Sequence, residues 1–209
     1  PSIESPEVYA MSSMTKILEW CEQTGRSYWE YVRECEDTDI WDYLNEVWKT
    51  MKEAIHRGLE EEGVLPGPLN LRRKASTYYI RATGYKHSLQ SRGLVFAYAL
   101  AVSEENASGG KIVTAPTCGS CGVMPAVLYH LHKSREFSDT RILRALATAG
   151  LVGNIVKANA SISGAEVGCQ GEVGVACAMA SAAANQLFGG SPSQIHGIES
   201  CPQRSCTNF

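Results

Sequence analysis

The stretch from Ser161 to Met179, SISGAEVGCQGEVGVACAM, constrains the fold more than any other part of the chain. It sets Cys169 and Cys177 apart on the chain and surrounds the first of them with Gly168, Gly171 and Gly174. On one continuous helix the two thiols would lie about 12 Å apart along the axis, at ~1.5 Å of rise per residue. If they are to share one site, the chain must turn between them, and the three glycines are where a turn is least strained. A second glycine and cysteine passage, TAPTCGSCGVMP from Thr114 to Pro125, lies upstream. The simplest expectation is that the two passages meet and bring three or four thiolates together.

Around these passages the chain reads as helix. Met14, Ile17, Leu18 and Cys21 form an apolar stripe from near Glu7 to a stop at Gly25. Ser27 followed by Glu30 is a capping-box pattern ahead of a second stripe, Tyr28, Tyr31, Val32 and Cys35. Ile40, Leu44, Val47, Trp48, Met51 and Ile55 carry the same period into a long third helix ending near Gly63. Cys21 and Cys35 lie on these stripes and are expected in the core, because a buried thiol behaves as a small hydrophobe. GVLPGPLNL, Gly63 to Leu71, reads as an irregular, partly extended linker, and Arg72, Arg73 and Lys74 after it as a solvated basic turn.

From Gly93 to Ala107 a buried helix is expected, with Glu104, Glu105 and Asn106 surfacing at its end. Lys111 to Ala115, KIVTA, is the one strand-like segment. Further helices are expected over Val123–Lys133, with Pro125 in the first turn, over Thr140–Ala158, capped by Ser138 or Asp139, and over Val173–Phe188. In the last of these Ala176, Ala180 and Ala184 would admit a tight helix partner, and that partner can be its own chain. With no internal repeat and no alternating strand pattern, the predicted class is all-α, a helical bundle with glycine-rich cysteine loops. Residues 1–190 are expected as one helical domain and 191–209 as a disordered tail carrying Cys201 and Cys206.

Composition narrows the function classes. A length of 209 residues allows one domain with a sizeable core. A net charge of -3 with mixed signs gives no electrostatic case for nucleic acid or an anionic membrane. No apolar run approaches the ~20 residues of a spanning helix, and PSIESPEVY is unlike a signal peptide, so a soluble, cytoplasmic protein is expected. Under that expectation the eight cysteines are thiols or metal ligands before they are a disulfide framework. The first residue is proline, which points to part of a longer or processed protein.

Cys118 and Cys121 form a C-x-x-C unit whose second member lies just ahead of a helix start, where the dipole favours a thiolate. A thioredoxin-like redox pair belongs in an α/β setting that this chain does not offer. Structural zinc wants a second close pair of ligands, and Cys169 with Cys177 is too widely spaced for that. An iron–sulfur cluster needs only several thiolates converging from loops. Spacing alone leaves a shared metal site and scattered buried thiols equally open.

TAPTCGSCGVMPAVL, Thr114 to Leu128, together with ASISGAEVGCQGEVGVACAMA, Ala160 to Ala180, strongly resembles the α domain of iron–sulfur-dependent L-serine dehydratase, also called L-serine ammonia-lyase. The likeness extends through GVLPGPLNLRRKA and EENASGGK and covers about residue 10 to residue 194, past which IHGIESCPQRSCTNF departs from the family. The resemblance implies a [4Fe-4S] cluster held by Cys121, Cys169 and Cys177, with Cys118, where many relatives carry asparagine, as a further thiol beside it. Three protein ligands would leave one iron open to act as a Lewis acid on the hydroxyl of L-serine. A base then takes the α-proton, and the aminoacrylate hydrolyses to pyruvate and ammonia without pyridoxal phosphate. The resemblance also implies a β-type domain or subunit with a serine- and histidine-containing motif that this sequence lacks, so the base is expected there. The rival readings are a non-catalytic metal- or cluster-stabilised helical module and a lyase on another small hydroxy amino acid.

Candidate substrate contacts are Thr114, Thr117 and Ser120 in the first passage and Asn159, Ser161 and Ser163 before the second, each of which can also cap a helix. Glu166 and Glu172 are the carboxylates nearest Cys169 and are read as orienting a ligand or stabilising a helix start. Lys157, His130 and His132 read as surface or rim residues. A homo-oligomer is expected.

Overall fold

The structure, a computed structural model, describes residues 8–197, apart from the side chains of residues 87 and 88. Among these residues the regular elements are all helical. They are α1 Met14–Thr24, α2 Tyr28–Cys35, α3 Asp39–Glu60, α4 Ala75–Thr83, α5 His87–Ala107, α6 Val123–Arg135, α7 Asp139–Asn159 and α8 Gly164–Leu187, with one 3-10 turn at Cys118–Ser120. The all-α expectation holds. No described helix is long and apolar enough to cross a membrane.

Local chemistry sets the early boundaries. α1 begins at Met14 rather than near Glu7 because Ser13 is its cap, its hydroxyl accepting the Lys16 amide at 3.3 Å, and Gly25 closes it with φ 70°. At α2 the expected capping box forms, and the Glu30 carboxylate accepts from the amide and hydroxyl of Ser27 at 3.0 and 2.9 Å. Those bonds hold the Glu30 carboxyl below its ordinary value. The stripes of α1, α2 and α3 meet in one core in which Ile17, Cys21, Tyr28, Trp48 and Ile55 are buried.

The centre of the molecule is α8 laid against α7 and α6. Ile142, Leu151 and Val152 of α7 are buried with Met179, Ala182 and Leu187 of α8. Small residues permit this closeness, and a Cβ on Gly153 would sit 2.9 Å from the Met179 sulfur. The alanine face finds its close partner within the chain itself, since Ala176 and Ala180 are buried there. α3 and α5 approach even more tightly, and a Cβ on Gly58 would stand 2.2 Å from the Ala101 carbonyl oxygen.

Elsewhere the chain departs from expectation. The linker folds back on itself, with Val64 bridging Arg72 and the Leu65 amide donating to the Leu71 carbonyl at 2.7 Å. Arg73 is not solvated, nor do Glu104 and Glu105 surface; all three are drawn into one buried network. α4 follows directly from that network, although no apolar stripe announced it. Lys111–Ala115 is irregular rather than a strand and leads into a cis Ala115–Pro116 bond. The expected tail is helical over residues 192–197, where the Gln194 side chain accepts the Ser191 amide at 2.9 Å and Ile195 is buried. Cys201 and Cys206 lie outside the described residues.

Candidate cysteine site

The first cysteine segment is held from three sides. Gly122 lies so close to α5 that a Cβ there would meet the Ala99 carbonyl oxygen at 2.6 Å. The Asn106 side-chain amide, also on α5, donates to the Cys118 carbonyl at 3.1 Å. α6 starts at Val123 with Pro125 buried in its first turn, as the missing amide of proline permits. Cys118 is exposed, whereas Cys121 is 1% exposed. Burial pushes the Cys121 thiol up to about 11, and the neighbouring Cys118 and Glu172 add to the rise. The pull of a helix start toward thiolate, expected at this position, is thus outweighed by desolvation.

The second segment turns in a different place from the one expected. Ser163 caps α8, its hydroxyl accepting the Ala165 amide at 3.3 Å. One helical turn later Gly168 breaks the helix with φ 74° and ψ 169°, a conformation open essentially to glycine alone. The break precedes both cysteines, and Gly171 and Gly174 are helical. Cys169 and Cys177 therefore share one uninterrupted helical run, about 12 Å apart along its axis at ~1.5 Å per residue. Both are exposed, and partial desolvation raises the Cys177 thiol from its ordinary value.

Glu172 joins the two segments. The Thr117 hydroxyl donates to its Oε1, and Thr117 in turn lies 3.1 Å from the hydroxyl of Ser120. Thr117 has one proton and the carboxylate has none to give, so the Ser120 hydroxyl must be the donor to Thr117 Oγ1. A Cβ on Gly119 would stand 2.6 Å from Glu172 Oε1, and one on Gly164 2.7 Å from Oε2. The carboxylate thus fills the gap between the first loop and the start of α8, and glycine on both sides lets it do so.

The passages meet, as their composition suggested, but the three thiols do not converge. Among the described residues no group of three or more His, Cys, Asp or Glu side chains is placed to hold a metal ion. In this arrangement Cys121, Cys169 and Cys177 do not fit a [4Fe-4S] cluster. Of the candidate substrate contacts, Thr117 and Ser120 belong to the Glu172 chain just described. Asn159 donates to the Ser12 carbonyl at 2.6 Å and the Ile155 carbonyl at 2.9 Å, while Ser161 accepts the Ser163 amide at 3.1 Å. Thr114 is exposed. A cavity of about 400 Å³ runs beneath both segments, touching Pro116 and Ile162 and walled by Met51, Met124, Leu146 and Met179. Asn106 was not anticipated as a support for this site; the EENASGGK passage that contains it was the available signal.

Known proteins are similar to this chain over most of its length. It is 46% identical to L-serine dehydratase 1 of Escherichia coli over 197 residues, 90% of this chain and 43% of that protein. With L-serine dehydratase of Haemophilus influenzae it shares 49% identity over 159 residues, 73% of this chain and 35% of that protein. L-serine dehydratase TdcG of Escherichia coli is 41% identical over 203 residues, 92% of this chain and 45% of that protein. The chain thus spans less than half the length of these relatives. The sequence model described as Serine dehydratase alpha chain matches residues 8–200, taking in both cysteine segments and part of the stretch expected to be unlike the family. On that match the chain belongs to the serine dehydratase alpha chain family.

Proposed function

We propose that this chain is the α part of an enzyme converting L-serine to pyruvate and ammonia. The observation that carries the reading is the 46% identity to an L-serine dehydratase across 90% of the chain. In that reaction the α-proton passes to a base and the β-hydroxyl departs, leaving 2-aminoacrylate. The aminoacrylate tautomerises to an imine, and water releases ammonia and pyruvate. Thr117 and Ser120 are the hydroxyls of this chain that the reading places on substrate, supported by their position where the two segments meet. The base is assigned to a β-type domain or subunit, a placement supported by the chain spanning 43% of its relative.

The cofactor reading is a [4Fe-4S] cluster on Cys121, Cys169 and Cys177, with Cys118 beside them and no role for pyridoxal phosphate. It rests on the two sequence motifs. The arrangement described does not gather those thiols, so no catalytic step is assigned to the cluster.

The test is anaerobic reconstitution with iron and sulfide, followed by a pyruvate assay with L-serine in the presence and absence of a β-type polypeptide. Turnover that needs the β-type partner, ignores added pyridoxal phosphate and disappears in Cys169→Ala supports the reading. Absence of bound iron, with wild-type behaviour in Cys169→Ala, overturns it.

A further inference from the structure

We propose that Glu172 is a positioning residue that sets the first cysteine segment against α8 through the reach and acceptor capacity of its side chain. Its purpose as such rests on the reading of this site as the serine dehydratase centre; its geometry stands on three separate observations. The Thr117 hydroxyl, on the first segment, donates to Glu172 Oε1, on α8. Gly119 on one side and Gly164 on the other leave no room for a Cβ beside the same carboxylate. Among the described residues no cation pairs with Glu172, so a neutral hydroxyl is its principal anchor.

The consequence reaches Cys121. Ser120 is buried, donates to Thr117 and immediately precedes Cys121 in the chain. A shift of Glu172 is therefore passed through Thr117 and Ser120 to the residue that carries the buried thiol. Glu172 lies between Cys169 and Cys177 on the same helical run, so one side chain relates all three motif cysteines. What Glu172 supplies is length and an acceptor oxygen more than charge, which separates it from an ordinary surface carboxylate.

The experiment is iodoacetamide labelling of the full chain, reduced and metal-free, with the rate at Cys121 divided by the rate at Cys21. Cys21 is also 1% exposed but belongs to α1, so it reports global opening. Glu172→Ala is expected to raise the ratio about tenfold, the size of effect that losing one hydrogen bond has on a local opening equilibrium. Glu172→Gln keeps reach and acceptor and is expected to stay within about twofold of wild type, whereas Glu172→Asp, one methylene shorter, is expected to follow alanine. An unchanged ratio in Glu172→Ala, or a glutamine variant that behaves as alanine does, overturns the proposal. Where Glu172→Ala also exposes Cys21, Thr117→Val decides by the same ratio, because it removes the hydroxyl that links Ser120 to Glu172 and leaves the carboxylate in place. Labelling uses neither serine nor iron. A failed serine assay thus counts against the functional reading alone, and an unchanged ratio beside intact turnover counts against the positioning role alone.

Discussion

Arg73 and Glu105 meet at 3.2 Å with their side chains 10% and 6% exposed, a nearly sealed ion pair between the linker and the end of α5. Arg57 shares the same carboxylate at 2.9 Å and donates to the Lys111 carbonyl at 2.6 Å. Beside them Glu104 Oε1 accepts the amides of Lys74 and Ala75 at 2.6 and 3.2 Å, which starts α4. Two consecutive glutamates thus tie linker, α3, α4 and α5 together. The next residue, Asn106, holds the Cys118 carbonyl, so the network abuts the cysteine site.

Glu105→Ala leaves two guanidinium groups without their shared partner, and the loss of a buried pair by removing one member costs about 3–5 kcal/mol. Urea denaturation is expected to show that loss. The exposed pair Lys111–Glu46, at 3.0 Å, is the control, and Glu46→Ala is expected to leave the midpoint unchanged.

Gly58→Ala drives a methyl group into the Ala101 carbonyl, with 2.2 Å between ideal Cβ and oxygen. The backbone contact cannot yield cheaply, and a loss of at least about 1–3 kcal/mol is expected, read as a fall in Tm. Gly150→Ala in α7 meets nothing within 4 Å and is expected to gain about 0.5–1 kcal/mol from helix propensity. Equal effects of the two substitutions would refute backbone contact between α3 and α5.

How much of this was legible depended on where the cause of each element lies in the chain. α1, α2 and α3 were readable because Met14, Ile17, Cys21, Tyr28, Trp48 and Ile55 repeat at the helical period, and for α1 and α2 the caps sit beside the stripe. α4 was not, because its start is made by Glu104, 30 residues away from Lys74. The burial of Arg73 and Glu105 escaped for the same reason, since each reads as solvated until the other is placed beside it. At the site, the meeting of the two passages was readable from their glycines and cysteines. The position of the turn was not, because Gly168, Gly171 and Gly174 are alike in sequence and tertiary packing chose among them.

Asp139 gives a pH test. Its Oδ1 accepts the indole N–H of buried Trp48 at 2.8 Å, and this bond, with Lys52 and His132 nearby, holds its carboxyl below the ordinary value. A depressed folded-state pKa contributes stability in full above the unfolded value of about 3.9, lost as pH falls through the folded value. Wild type is thus expected to exceed Asp139→Asn in urea midpoint at pH 6, with the gap closing as pH falls below about 4. A gap that stays constant with pH would show that the charge of Asp139 plays no part.

The joint at Gly168 carries the sharpest test of how α8 is built. Its φ of 74° and ψ of 169° are unfavourable to any side chain, while nothing lies within 4 Å of where a Cβ would go, so Gly168→Ala acts through the backbone alone. About 1–3 kcal/mol of strain is expected, which the chain can relieve by straightening the helix or releasing its first turn. Gly174 also has nothing within 4 Å but is helical, so Gly174→Ala is expected to be neutral or stabilising by up to about 1 kcal/mol. Hydrogen exchange of residues 164–171 distinguishes these outcomes, with faster exchange expected in Gly168→Ala and unchanged or slower exchange in Gly174→Ala. If the turn lay between Cys169 and Cys177, the ranking would reverse, because alanine at 174 would then oppose the turn and alanine at 168 would extend a regular helix.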